Sequence, residues 1–234
     1  MRNIDAWALL WMLGLWLGYT FFANHQARTQ TCLASVLLLY RKQWMLRLLK
    51  RENRIADASL LDQLRSSASF FASTSMLVIA GLVTCMTSSD EGLIILSYLP
   101  LATTNTHELW EYKMLVMAAI FIYAFFEFSW SLRLYNYVAV VIGSAPLVEE
   151  IGDCQARTET FSETSAKIIS MAAKHFNYGL RAYYFSLATL SWFVSVWCYL
   201  LLVTGIVILL YHREFHSKAL KILSYSRMNY PKQN

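Results

Sequence analysis

The chain has 234 residues, of which 57% are hydrophobic, 15% aromatic and 15% charged, with a formal net charge of +5. A soluble domain of this length carries about 25% charged residues, so the deficit, together with apolar runs near the length of a bilayer crossing, places the chain in the membrane class. The positive balance is read as attraction to anionic lipid headgroups rather than to nucleic acid, because the basic residues flank apolar stretches and no nucleic-acid-binding motif is present.

Ile4 to Ala23 is a first span, of the length that a hydrocarbon core about 30 Å thick requires. It is read as retained rather than cleaved, since it lacks a basic leader beyond Arg2 and a small-residue cleavage site. Gly14 and Gly18 stand four apart and are candidates for close helix packing, within the chain or between copies. Residues 24–67 are polar and basic, with eight Lys/Arg between Arg28 and Arg65. Leu33, Leu37, Tyr40, Trp44 and Leu48 recur at intervals of three or four, which predicts an amphipathic helix lying along the headgroups or packed on the other cytoplasmic segment.

A second span is expected over 68–86. Ala68 and Ala72, and beside them Ser69 and Ser73, have the spacing for tight helix contact. Ser73, Thr74 and Ser75 could line a polar path or bond back to the preceding turn. Residues 88–92 form the tip of a connection, and 93–102, interrupted by Pro100, are apolar but too short to cross. His107 and Glu111 have helical metal-ligand spacing without a third ligand.

The third span, 114–132, contains Glu127 and ends in Trp130, Arg133, Tyr135, Asn136 and Tyr137, with the helix free to continue to Ile142 before Pro146. Residues 147–180 form a second polar, amphipathic segment in which Gly179 is placed to break or redirect the helix. His175, Asn177 and Arg181 then lead into a fourth span, 182–211, and a basic tail. The four cysteines, Cys32, Cys85, Cys154 and Cys198, form no paired motif, so reduced thiols are expected. Thirteen Lys/Arg lie in the two long segments after spans one and three, against seven elsewhere, which puts the N-terminus outside and both segments in the cytoplasm.

Several blocks together resemble a known family: Arg41-x-x-Trp44-Met45, Glu52-Asn53-Arg54-Ile55-x-Asp57, Phe70 to Ser75, Leu109-Trp110-Glu111-x-Lys113, Phe125 to Tyr137, and His175 to Ala182. They are similar to the bacterial and plant family of multi-pass membrane proteins known as domain of unknown function 599. The resemblance covers nearly the whole chain and implies a complete four-helix membrane protein; it implies no activity, substrate or cofactor.

The expected fold is therefore all-α, an integral membrane four-helix bundle with two cytoplasmic amphipathic segments, in one membrane domain of a bacterial inner (plasma) membrane. No phosphate-binding glycine loop, nucleophile elbow or zinc motif occurs, so no catalytic, metal or cofactor residues are assigned. Arg54, Asp57, Glu127, Arg133, Asn136, His175, Asn177 and Arg181 are expected to converge at the cytoplasmic mouth, with Asp57 or Glu127 pairing with Arg133 or Arg181. The readings for function are, in order, a non-enzymatic oligomeric channel or small-solute pathway, an accessory subunit of a membrane complex, and a small lipid-directed enzyme using Glu127 and His175. The partners these imply are the anionic lipid bilayer and either a homo-oligomer or a larger membrane complex.

Overall fold

The computed structural model describes residues 3–29, 32–87, 107–147, 149 and 155–228. The expected connection tip at 88–92, the apolar run 93–102 and Cys154 lie outside them. Among the described residues there are seven helices and no strand: α1 Asn3–Thr29, α2 Leu33–Leu49, α3 Ile55–Thr87, α4 His107–Gly143, α5 Gln155–Ser191, α6 Val196–Phe215 and α7 Lys218–Met228. Four stretches are long and apolar enough to cross a membrane, Ile4–Ala27, Ile55–Thr87, His107–Gly143 and Val196–Tyr225. At 1.5 Å per residue, the 33 residues of α3 extend for about 50 Å and the 37 residues of α4 and of α5 for about 55 Å. Each exceeds a hydrocarbon core of about 30 Å. The polar segments expected to be separate helices are thus partly extensions of the apolar ones: α3 begins at Ile55, and α5 runs unbroken through Gly179.

The fourth span departs from expectation. Residues 182–211 are not one helix: α5 ends at Ser191 and α6 begins at Val196. Trp192, Phe193 and Val194 donate main-chain N–H bonds three residues back, to Thr189, Leu190 and Ser191. That tight winding reverses the chain without glycine or proline.

The chain divides into two compact units. Unit 1 comprises the described residues of Met1–Gln26, Ala72–Phe126 and Tyr178–Arg213; unit 2 comprises those of Ala27–Phe71, Glu127–Asn177 and Glu214–Asn234. Helices α1, α4 and α6 begin in unit 1 and finish in unit 2, whereas α3 and α5 do the reverse. Charge follows this division: sixteen of the twenty Lys/Arg and ten of the fifteen Asp/Glu belong to unit 2. Unit 2 therefore carries an excess of six positive charges, and unit 1 one negative.

Unit 2 is cored by Met45, Leu48 and Leu49 of α2, Leu61 and Ala68 of α3, Leu134 and Val138 of α4, and Ile169 and Ala172 of α5. Three phenylalanines, one from each of α3, α4 and α5, close on one another: Phe71 stacks on Phe128 at 5.2 Å, and Phe176 meets both edge-on. Ala68 and Ala72 are buried, as their small size allows, while Ser69 and Ser73 are exposed. Helix α2 starts where Cys32 and Ser35 cap each other, Ser35 N–H donating to Cys32 Sγ and Cys32 N–H to Ser35 Oγ. This reciprocal cap satisfies two of the N–H groups that a helix start leaves open.

Gly14 and Gly18 do not serve as a packing seam within the chain. Both are exposed, and a Cβ placed on either would meet no atom within 4 Å. Their missing side chains leave an open groove beside α6 instead.

Candidate functional site

The stretch of α5 in unit 1 reads Tyr178-Gly-Leu-Arg-Ala-Tyr-Tyr-Phe-Ser-Leu-Ala-Thr-Leu-Ser191. With an arginine, two serines, a threonine and three tyrosines, it is the one long helix of unit 1 not among the apolar crossing stretches. It nevertheless touches all four of the helices that are. Phe185 stacks on Trp16 of α1 at 5.0 Å. The Tyr183 hydroxyl is 3.0 Å from Ser75 Oγ of α3, and its ring meets Phe121 of α4. The Tyr184 hydroxyl accepts from Arg213 of α6 at 3.2 Å. Ala182, Phe185, Ser186 and Thr189 fall at helical spacing and are buried, while Leu187 and Leu190 face outward. The face of α5 that carries Ser186 and Thr189 is thus covered by apolar helices, while its leucine face is left outward.

At its C-terminal end two opposite charges are buried against one residue. Lys113, 0% exposed, donates from Nζ to the Trp192 carbonyl at 2.8 Å. Asp5, 2% exposed, accepts from the Trp192 indole N–H at 3.0 Å. The Lys113 ammonium also lies 5.5 Å over the Trp192 ring and 5.7 Å over Phe193, within cation–π range. Tyr199 of α6 stacks on Trp192 with centroids 5.0 Å apart. Two buried polar atoms at this end, Tyr199 Oη and Trp110 Nε1, have no hydrogen-bond partner among the described residues. Burying an ammonium and a carboxylate is costly unless each is paired, and here the α5–α6 turn supplies a partner to both.

Thr189, one turn earlier, donates to the Phe185 carbonyl, and Ser186 to that of Tyr183. Such back-bonds satisfy hydroxyls in an apolar setting and leave each oxygen a further lone pair. From Trp192 through Thr189, Ser186 and Tyr183 to Arg181, polar groups recur over about 16 Å of helix. Arg181 lies 5.0 Å over the Tyr19 ring and 5.5 Å over Tyr178, whose hydroxyl donates to Asn24 at 2.8 Å. Asp5, Lys113, Thr189 and Trp192 were not singled out as site residues in the sequence. Of these, only an Asp in the first turn of an apolar helix and a Lys beside Trp110 gave any signal.

In unit 2 the expected mouth residues separate into several sites. Glu127 and His175 do meet, Oε2 to Nδ1, at 2.7 Å between α4 and α5, both partly buried. Among the described residues, the expected pairings of Asp57 or Glu127 with Arg133 or Arg181 do not form. Asp57, buried in the first turn of α3, instead takes Arg51 at 2.6 Å and the Trp44 indole at 2.7 Å on Oδ1, and its Oδ2 has no partner among the described residues. The short turn after α2 carries Arg51 back to Asp57, six residues on. Arg54 donates to the carbonyls of Ala145 and Pro146, just beyond the end of α4. Arg133 is on the exposed side of α4, donating to Tyr137 one turn on at 2.8 Å and lying over Trp130. Asn136 and Asn177 are exposed. Arg41 of α2 reaches Ser170 of α5 at 3.1 Å; burial pulls its guanidinium below the usual range, opposed by the neighbouring Tyr135.

Among the described residues no group of three or more His, Cys, Asp or Glu could hold a metal ion. Cys32, Cys85 and Cys198 are free thiols. A family model described as "Protein of unknown function, DUF599" matches residues 7–219. No curated protein and no solved structure matches the chain.

Proposed function

The chain belongs to the DUF599 family, and on that premise we propose that it is a non-enzymatic pathway for an ion or small solute, its polar groups carried by α5 within a sheath of apolar helices. The observation that carries this reading is the burial of Asp5 and Lys113 at the end of a helix whose hydroxyl-bearing face is buried. Ionisable groups at membrane depth are expensive and are characteristic of ion paths and proton relays. On this reading the path runs inside one chain, along Trp192, Thr189, Ser186 and the Ser75–Tyr183 pair. It does not run between copies along Ser73, which is exposed. The bland reading is that Lys113 and Asp5 only clasp the α5–α6 turn to α1 and α4.

Flux separates the two. Purified protein in liposomes, loaded in turn with proton- and alkali-cation-sensitive dyes, should conduct above empty vesicles. Lys113→Met and Thr189→Val should reduce that conduction at unchanged reconstitution and melting temperature. Folded wild-type protein that carries none of these ions would leave only the clasp.

The orientation we propose has the N-terminus outside. Because the break at 192–195 adds a reversal, the tail joins residues 24–67 and 147–180 on the cytoplasmic side of the plasma membrane. Eighteen Lys/Arg then lie on that side against Arg2 and Lys113 on the other, as the positive-inside rule requires.

A second reading is favoured by the 2.7 Å Glu127–His175 contact. A carboxylate that orients an imidazole is a general-base arrangement, here beside the exposed ring of Trp130, which meets His175 edge-on at 6.3 Å. It makes the chain a small lipid-directed hydrolase. Release of fatty acid from vesicles, lost in Glu127→Gln and His175→Asn, would support it over the pathway.

A further inference from the structure

Apart from the polar face of α5, unit 1 carries open apolar clefts beside α1. Two of them follow one another along the seam between α1 and α6. The first is lined by Trp7 and Trp11 with Trp197 and Thr204, and the Trp11 indole donates to Thr204 across it at 3.3 Å. The second, about 370 Å³, is lined by Gly14, Gly18, Tyr19 and Phe22 of α1 and by Ile208 and Tyr211 of α6. The residues that face each other advance together on both helices, so α1 and α6 run parallel and the groove has a defined polarity. Its floor is open because Gly14 and Gly18 have no side chains.

Positive charge collects at the C-terminal end of this groove. Arg181 lies over the ring of Tyr19, which lines the groove; its Nη1 is buried without a hydrogen-bond partner among the described residues. Arg213 follows Tyr211 by two residues, is exposed, and donates to the Tyr184 hydroxyl, one turn along α5 from Arg181. Among the described residues neither arginine forms a salt bridge with a carboxylate. The described acidic residues of unit 1 are Asp5 and Glu108, in the first turns of α1 and α4, and Glu111, in the second turn of α4. Glu214 follows Arg213 in the chain, and no salt bridge joins the two among the described residues. Asp5 is tied to Trp192, at the far end of α5.

An apolar trough ending in two guanidiniums that form no salt bridge among the described residues matches one kind of molecule in a membrane: a lipid whose tail is hydrocarbon and whose head is a phosphate without a balancing cation. We propose that the α1–α6 groove binds an acyl chain of an anionic phospholipid, with Arg181 and Arg213 taking its phosphate. Guanidinium is suited to this because it donates in a planar fork to phosphate oxygens. A choline headgroup would bring its own positive charge towards the arginines. This inference is independent of whether α5 conducts.

The test is native mass measurement of the purified full chain in mild detergent, titrated with phosphatidylglycerol or phosphatidylcholine. Wild-type protein should retain phosphatidylglycerol about tenfold better, the factor that one charge-assisted hydrogen bond is worth. Arg213→Gln, at an exposed position, should abolish the preference. Gly18→Leu, which fills open space and so leaves the fold intact, should reduce retention of both lipids. Equal retention of the two lipids by wild type, or a preference that survives Arg213→Gln, overturns the headgroup assignment. Retention unchanged by Gly18→Leu overturns the groove. A dimer that Gly18→Leu splits would assign the groove to a second copy of the chain and overturn the proposal as a whole.

Discussion

Lys113 and Trp192 join α4 to the α5–α6 turn through a bond from an ammonium to a main-chain carbonyl at 2.8 Å, fully shielded from solvent. The carbonyl belongs to the turn itself, so the charge is anchored to the point where the chain reverses. If this bond only clasps the turn, Lys113→Met should leave that carbonyl unsatisfied and cost about 1–3 kcal/mol, seen as a lower melting temperature in detergent. If it belongs to the pathway, as proposed above, the variant should keep its melting temperature and lose flux. The pair of measurements decides which role the lysine has.

The two serines of α3 should behave in opposite ways. Ser75→Ala removes one hydrogen bond to the Tyr183 hydroxyl and should destabilise by about 1 kcal/mol. Ser73→Leu, on the exposed side of the same helix, should be neutral in thermal unfolding. A larger loss from the second than from the first would mean that the hydroxylic face of α3 packs inward.

Asp57 gathers Arg51 and the Trp44 indole on one oxygen while wholly buried. Asp57→Ala strands an indole N–H and a guanidinium that is about half exposed, and should cost about 1–3 kcal/mol. Arg51→Ala removes one partner only and should cost less. Equal stability of both variants to wild type would show that α2 is held to the start of α3 by apolar packing alone.

Glu163 and Lys167 form an exposed pair one turn apart at 3.0 Å. The bond to Lys167, then the charges of Lys167 and Lys42, hold the Glu163 carboxyl below its ordinary value. A depressed carboxylate favours the folded state above its unfolded pKa, and that preference fades as pH falls through the folded value. Because the group is fully in solvent, screening removes most of the effect. Glu163→Gln should therefore leave the melting temperature unchanged at pH 7, while nuclear magnetic resonance titration of Glu163 should give a midpoint below the ordinary carboxylate range.

Topology gives a clean odd-or-even outcome. Cysteines introduced at Lys50, Lys167 and Lys221 should be labelled from the cytoplasmic side, and one at Asp90 from outside. Labelling of position 221 from outside would show that 182–211 crosses as one helix.

Three of the apolar helices, and the apolar run of the fourth though not its start, were legible because hydropathy and length are local properties of a sequence. The end of α4 was too, since Pro146 and the polar run after it mark a stop. The reversal at Trp192 was not, because its residues, Trp-Phe-Val-Ser, hold no glycine, proline, asparagine or aspartate and lead without a break in apolarity into α6. Nor was the central place of α5: its polarity reads as aqueous exposure until the surrounding helices are known to cover it. At the site, Glu127 and His175 were singled out as ionisable groups near membrane depth, and they meet. The arginine pairings failed because sequence spacing fixes a residue's depth along a helix but not which neighbour its side chain faces. Asp57 found a closer cation six residues away, and Arg133 found a tyrosine on its own helix.

The central polar helix also constrains how the protein reaches the bilayer. The unit 1 stretch of α5 carries a threonine and two serines, with Arg181 near its start, and has no long apolar run to compensate. This segment is a poor candidate for insertion alone. Its follower α6 is strongly apolar, and Trp192–Ser195 joins the two by only a few residues. Biogenesis would then proceed by threading α5 and α6 together as a helical hairpin into a cradle already formed by α1, α3 and α4. Insertion in that order would bring Trp192 between Lys113 and Asp5, the two groups that hold it in the folded chain.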